Sequence, residues 1–326
     1  MSRNKGTDVR QCLLVIMAAV CVGFLWLWAA PLRTFASGGD SSASTESAIV
    51  KKGLVQEGDY YYYYKNDGSM LKSKWKTIGD YRYYFKDNGR AAVGGCKIGD
   101  YVYVFDEEGH LLTGKKSRFV TVNGSVYYVS KKGRASTGWF IVNNHLYRAN
   151  AKGKRLTTEK DGITFTSKGY AKSNTASKLK MLTMEIVDEI TTSKMTKKQK
   201  LKACWDYMTE KSNWTYMTYN KSVSTLAQRQ KCAYAMLTTH RGSCRSFACA
   251  FAALAREVGY KPYLIMGRVP GSRDQASDGY TKHSWVRING HYYDPEGVWA
   301  GWNPNGYNLE TYNVSNQVLK IYKFFD

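Results

Sequence analysis

RGSCRSFACAFAALAREVGYKPYLI (241–265) is the stretch on which the fold of the C-terminal half turns. Its first residues, Gly242-Ser243-Cys244-Arg245-Ser246-Phe247, lead into an alanine-rich apolar helix over 248–258, which stops at Gly259 ahead of Pro262. Ser243 reads as the N-cap and seats Cys244 in the first helical turn. Unpaired N–H groups and the positive end of the helix dipole favour thiolate over thiol at such a position. A thiolate there is a nucleophile, and the same N–H groups can later hold an oxyanion.

Downstream, Lys282-His283-Ser284-Trp285-Val286-Arg287-Ile288 alternates like a strand, Asn289-Gly290 is a strong hairpin turn, and His291-Tyr292-Tyr293-Asp294-Pro295 returns. A two-residue loop sets Ile288 opposite His291, Val286 opposite Tyr293 and Trp285 opposite Asp294. His283 then shares a face with Asp294 as its diagonal neighbour, about 7–8 Å away between backbones. His291 falls on the other face, and only a three-residue loop would reverse the choice. The expected catalytic set is therefore Cys244 as nucleophile, His283 as proton carrier and Asp294 as the carboxylate that holds the imidazole.

Upstream the pattern is helical. ASKLKMLTMEIVDEITT (176–192) places Leu179, Leu182, Ile186, Val187 and Ile190 on one face. TKKQKLKACWDYMTEKS (196–212) opens on a Thr196 cap and does the same with Leu201, Trp205 and Met208. Between the thiol helix and His283, GRVPGSRDQASDGYTK (267–282) reads as a polar loop, either a mobile lid over the thiol or a long connection.

Three pieces, KLKACWDYMTEKSNWTY (200–216), the 241–265 stretch and HSWVRINGHYYDP (283–295), make residues 177–300 resemble the transglutaminase-like superfamily. The resemblance implies an α+β, papain-like core in which Cys244 attacks a peptide bond or glutamine amide to give a thioester. Transfer to an amine then cross-links proteins, and transfer to water makes the enzyme a cysteine protease. It also implies an oxyanion donor from an upstream aromatic, with Trp214 and Tyr216 as the candidates. It implies no metal and no cofactor. The papain-type cysteine signature and the histidine–histidine pattern of peptidoglycan endopeptidases are both absent.

Residues 51–172 repeat themselves. YYYYKNDGSMLKSKW (61–75), YYFKDNGRAAVGG (83–95), YVFDEEGHLLTGK (103–115), YYVSKKGRASTGWF (127–140) and YRANAKGKRLTT (147–158) align on Gly68, Gly89, Gly109, Gly133 and Gly153. A tyrosine stands six residues before each glycine: Tyr62, Tyr83, Tyr103, Tyr127 and Tyr147. The period predicts stacked hairpins, each a strand, a turn such as Asn66-Asp67-Gly68, and a second strand. The segment resembles the cell-wall-binding repeats of the choline-binding and glucan-binding type, in which aromatic cages hold choline or sugar. Those five tyrosines with Trp75 and Trp139 are the candidate ligand residues, although tyrosines so placed also serve to pack hairpin on hairpin.

The remainder bounds location and partners. Arg3, Lys5 and Arg10 precede an apolar run over 12–30, and Ala36 precedes the Ser/Gly-rich 37–50, so 1–36 reads as a secretory signal peptide or an uncleaved membrane anchor. Beyond it stand five cysteines without paired short spacings, Cys96, Cys204, Cys232, Cys244 and Cys249, which excludes a disulfide framework and a zinc signature. Cys204 and Cys249 fit as buried small hydrophobes. A net charge of +22 in an exported chain leaves teichoic-acid-like wall polymers, anionic lipid or host polysaccharide as polyanionic partners rather than nucleic acid, or else serves as a solvated lysine surface that provides solubility.

The whole reads as a multidomain bacterial surface protein: signal or anchor (1–36), linker (37–50), a β-hairpin repeat solenoid (51–172) and an α+β transglutaminase-like domain (173–326). The alternative function is a wall-binding or adhesion protein whose transglutaminase-like domain is an inactive scaffold.

Overall fold

The computed structural model describes residues 50–218 and 221–325. The expected signal or anchor and nearly all of the linker lie outside the described residues. Among the described residues no helix is long and apolar enough to cross a membrane.

Five antiparallel hairpins follow one another. They pair Gly53–Glu57 (β1) with Tyr60–Tyr64 (β2), Lys74–Ile78 (β3) with Tyr81–Phe85 (β4), and Gly94–Ile98 (β5) with Tyr101–Phe105 (β6). Arg118–Val122 (β7) pairs with Ser125–Val129 (β8) and Gly138–Val142 (β9) with His145–Ala149 (β10), to which Arg155–Leu156 (β11) adds an edge.

The phase of these hairpins differs from the one the aligned glycines suggest. Each closes on a two-residue loop: Gly58-Asp59, Gly79-Asp80, Gly99-Asp100, Asn123-Gly124 or Asn143-Asn144. Tight hairpin loops need a positive φ at the first residue or at both, and Gly and Asn supply it, with Gly79 at φ +56° and Asn123 and Gly124 at +45° and +67°. Asn66-Asp67-Gly68 and its counterparts instead turn the chain from one hairpin into the next, with the N–H of Gly68 donating to the carbonyl of Lys65 at 3.0 Å. Both glycine sets satisfy turns, and alignment on the more regular one hides the other.

In consequence the five repeat tyrosines lie on second strands and face the following repeat. A Cβ on Gly89 would lie 3.6 Å from the Tyr62 ring, one on Gly109 3.4 Å from Tyr83, and one on Gly153 3.6 Å from Tyr127. Tyr83, Tyr127 and Tyr147 are buried, while Tyr62 and Tyr103 are half-buried. Backbone also meets backbone closely here. A Cβ on Gly95 would lie 1.9 Å from the carbonyl oxygen of Lys152, two hairpins on. Gly95→Ala is therefore expected to lower the thermal midpoint of the repeats, by the equivalent of about 1–3 kcal/mol, because backbone has no rotamer with which to yield; differential scanning calorimetry reads it.

The C-terminal half begins with Thr175–Ile190 (α1), started by a capping box in which Asn174 and Ser177 satisfy each other's backbone. Lys197–Thr209 (α2) has the anticipated Thr196 cap, whose hydroxyl accepts from the N–H of Gln199. A short Thr215–Tyr216 strand (β12) follows, then Leu226–Thr239 (α3), Arg241–Gly242 (β13) and Cys244–Glu257 (α4). The chain ends in an antiparallel sheet of order β16-β15-β14-β17, made by Tyr263–Pro270 (β14), Tyr280–Ile288 (β15), His291–Tyr293 (β16) and Gln317–Lys323 (β17), with the short helix Pro295–Ala300 (α5) after β16.

Helix α4 is apolar around its circumference and sits at the centre. Phe247, Phe251 and Leu254 pack with Trp205 and Met208 of α2, Met236 of α3, and Leu264, Val286 and Ile288 of the sheet. The expected 267–282 loop is shorter than it reads, since β14 runs on to Pro270 and β15 starts at Tyr280. Sheet pairing carries the chain through the polar residues of both strands, leaving 271–279 as the connection. At the other end of the half, the last repeat packs against α1 through Trp139, Leu146, Ile163, Phe165 and Ala176, and Arg256 forks onto Asp161 at 2.8 and 2.9 Å.

Candidate active site

Cys244 is the first residue of α4, with Ser243 at the N-cap position in extended backbone. Ser243 makes no side-chain cap bond, so the cap is positional only. Its carbonyl still accepts from the N–H groups of Ser246 and Phe247 at 2.8 and 3.0 Å, which leaves the first N–H of the helix directed outward. Gly242 is required just before the thiol, because a Cβ there would lie 2.4 Å from that of Ser246 and 2.7 Å from the sulfur of Met236.

The hairpin register matches the sequence reading: Ile288 opposes His291 and Val286 opposes Tyr293 across Asn289-Gly290. Pro295 then starts α5 with Asp294 as its N-cap, which turns the carboxylate under the sheet toward His283. His283 Nε2 donates to Asp294 at 2.9 and 3.0 Å, and both side chains are fully buried. Asp294 also accepts from the N–H of Gly297 (3.0 Å), the Asn303 amide (3.3 Å) and the Tyr312 hydroxyl (2.7 Å). Trp285 stacks on Tyr312 at 4.4 Å and, beyond it, on the imidazole, while Trp302 presents to that ring edge-on at 4.9 Å. The histidine is thus fixed in plane and in orientation.

Burial by itself would lower the His283 pKa, but the charge and hydrogen bond of Asp294 and the neighbouring Cys244 thiol outweigh it and push it up to about 10. Burial likewise opposes ionisation of Asp294, and His283, Tyr312 and the Gly297 N–H overcome it, so that its carboxyl is held below the usual range. On the other side of the ring Nδ1 is buried without an ordinary hydrogen-bond partner, and the Glu296 carboxylate lies 3.7 Å from it. Burial raises Glu296, which accepts from the Trp302 indole at 3.2 Å.

The two upstream aromatics separate. Trp214 is buried, its indole N–H donates to the carbonyl of Tyr207 at 3.1 Å, and it stacks on His240. That donor is spent inside the core, which removes it from the oxyanion role. Tyr216 is brought beside Gly242 by the parallel pairing of β12 with β13. Its hydroxyl accepts from Arg273 at 2.7 Å, which leaves its own hydrogen free to donate. Arg273, from the 271–279 connection, lies 4.0 Å from the Cys244 sulfur and 3.9 Å from Glu296.

Arg273, Glu296, Asn303 and Tyr312 are site residues that the sequence reading did not reach. Only Glu296 had a visible signal, since Asp-Pro-Glu starts a helix and places the glutamate in its first turn, two residues after Asp294.

Among the described residues the cysteines form no disulfide; burial pushes Cys204 up to about 12 and also raises Cys249 well above the ordinary thiol range. Donor atoms of His283, Asp294 and Glu296 lie within 4.8 Å of one another, as do those of Asp106, Glu108 and His110. In the first group the carboxylates already accept from protein donors, an arrangement that holds protons.

A buried His–Asp pair thus stands beside a cysteine at a helix start, next to a four-stranded antiparallel sheet. Residues 184–304 match the transglutaminase-like superfamily, and residues 52–70 and 73–91 match the cell wall binding repeat of the choline-binding type. The chain therefore combines repeated antiparallel β-hairpins of that type with a transglutaminase-like domain. No curated protein matches.

Among solved structures, the chain is similar to choline binding protein F from Streptococcus pneumoniae (24% identity, 38% of this chain and 48% of that chain, TM-score 0.22). It is also similar to the multimodular pneumococcal cell wall endolysin from phage Cp-1 complexed with choline (25%, 38% and 37%, 0.27). An alternansucrase in complex with isomaltononaose follows (20%, 37% and 10%, 0.26). The chain spans less than half the length of each.

Proposed function

We propose that this is a wall-associated thiol enzyme that attacks peptide or glutamine amide bonds through Cys244, with His283 as proton carrier, Asp294 as its anchor and a thioester as intermediate. The observation that carries the reading is the fully buried His283–Asp294 pair beside the Cys244 thiol. Asp294 fixes the Nε2 proton, which turns Nδ1 toward the sulfur and Glu296. As the sulfur attacks, the carbonyl oxygen gains charge. The Cys244 N–H, the Tyr216 hydroxyl and the Arg273 guanidinium surround the place where that charge develops. The imidazolium returns its proton to the leaving amine, and an amine or water then resolves the thioester.

Mass spectrometry of wall proteins incubated with the purified enzyme, with and without a small primary amine, tests the reading. Amine incorporation at glutamine marks transfer, new termini mark hydrolysis, and neither product, under conditions where the thiol is alkylated normally, sinks it.

Arg273 supplies a second check. Arg273→Gln is expected to lower kcat by about 10- to 100-fold with KM within about threefold, with partial recovery in Arg273→Lys. A raised KM at unchanged kcat makes Arg273 a substrate-holding residue instead.

A further inference from the structure

In four of the five repeats the residue immediately after the turn glycine is basic: Arg90, His110, Arg134 and Lys154. Three of these lie against the tyrosine that opens the second strand of the preceding hairpin. The Arg90 guanidinium sits 3.8 Å from the Tyr60 ring centroid, His110 stacks on Tyr81 at 3.8 Å and 20°, and Arg134 sits 3.6 Å from Tyr101. For Lys154 the corresponding position is Ser125, which carries no ring. The two repeat tryptophans are covered in the same way, Trp75 by Arg82 at 4.3 Å and Trp139 by Arg148 at 5.6 Å.

We infer that the repeats bind the anionic groups of a wall polymer through the stacked Tyr–Arg pairs at Arg90 and Arg134, and not a quaternary ammonium; the inference rests on the wall-binding reading of the repeats. A quaternary ammonium needs the open face of an aromatic ring, and here a guanidinium of like charge covers Tyr60 and Tyr101 while an imidazole covers Tyr81. A stacked guanidinium spends its plane on the ring, and although the Arg90 Nε–H is taken by the Tyr62 hydroxyl at 3.1 Å, its two terminal nitrogens are left for a phosphate or carboxylate, which they can meet with two parallel bonds.

Between the second and third pairs the surface forms a groove of about 610 Å³, lined by Tyr81, Arg82, Tyr103, Lys131, Lys132 and Arg134. The Arg134 Nε atom there is buried and without a hydrogen-bond partner. Asp80 and Asp106 also reach the groove, but His110 already occupies Asp106 at 3.0 Å, and four Lys and Arg side chains outnumber them. Recurrence of the pair at the repeat period suits a ligand whose charges also recur.

The test uses the full chain and four immobilised probes: poly(glycerol phosphate), polygalacturonate, dextran and choline. Retention on one or both anionic polymers, with affinity falling about tenfold or more between 50 and 300 mM salt, is the expected result. Which of the two is retained names the source of the anion. The double variant Arg90→Gln/Arg134→Gln is expected to lose about tenfold of that affinity and, with its rings uncovered, to gain choline retention. Arg134→Lys, which keeps the charge without the fork, should lose less.

Retention of the wild type on choline with elution by free choline overturns the inference. So does equal retention on dextran, an unchanged affinity in a double variant that melts normally, or no retention on either anionic polymer. Sedimentation with purified walls separates the two levels. If the chain pellets with walls yet ignores both polyanions, wall binding stands and this inference falls.

Discussion

Replacing Cys244 by Ala is expected to abolish turnover, by a factor on the order of 10⁴ or more, while the thermal midpoint stays within about 3 °C. On the proposed mechanism the activity effect is large because nucleophile, proton carrier and anchor act as one unit. The stability effect is small because the thiol touches the surface at 7% exposure and its loss leaves no sizeable cavity. The same variant gives a chemical readout that needs no substrate. Burial pushes Cys96, Cys204 and Cys249 above the ordinary thiol range, so brief alkylation at neutral pH should mark the Cys244 peptide ahead of theirs. Equal labelling of those peptides, or full activity in Cys244→Ala, would remove Cys244 from the mechanism and favour the inactive scaffold.

Asp294 is expected to matter as much for folding as for chemistry. Asp294→Ala removes the acceptor of the buried His283, the Tyr312 hydroxyl, the Asn303 amide and the Gly297 N–H at once. A cost of about 3–5 kcal/mol follows, which for a domain of this size lowers the midpoint by roughly 10 °C or more. Asp294→Asn keeps the volume and some of the bonds; it is expected to fold better but still to lose on the order of 10³- to 10⁴-fold in kcat, since the amide can present the wrong group to Nε2.

The pH dependence has a definite sign. The folded pKa of His283 is raised to about 10 from an ordinary 6.5, so its contribution to stability is complete below pH 6.5 and fades as pH rises through about 10. Asp294 is shifted down, so its contribution is complete above its ordinary 3.8 and fades as pH falls through the lower folded value. The stability gap between wild type and Asp294→Ala should therefore be widest between about pH 4 and 6.5 and narrow on both sides. Urea melts across that range measure it, and a gap independent of pH would show that the pair is not ionised.

What could be read from the sequence was whatever depends on short spacings. The Asn289-Gly290 turn fixes a register, and register decides which side chains share a face, so the choice of His283 over His291 needed nothing distant. The repeat period was equally open, but its phase was not, because two sets of turn residues alternate and only the tertiary stack shows which closes a hairpin. Helix α3 escaped because Leu226–Thr239 mixes Gln, Arg and Lys with its apolar residues. Arg229 and Gln230 are buried there, each held by backbone carbonyls from elsewhere in the chain. Arg273 and Tyr312 reach the site from segments without periodicity. Trp214 came as a candidate from the resemblance alone, and its place in the sequence does not show that its indole N–H is spent on the carbonyl of Tyr207.

The packing of Tyr62, Tyr83 and Tyr127 over the next repeat's glycine, and of the last repeat on α1, also bears on how the molecule works at a distance. An array in which units are completed by their neighbours, and the final one by the C-terminal domain, has no swivel between the repeats and the Cys244 site. Its length acts as a ruler. On the proposed function, inserting one repeat should carry the thiol a fixed step farther from the first hairpin, changing which bonds in the wall come within reach without changing the chemistry at the thiol.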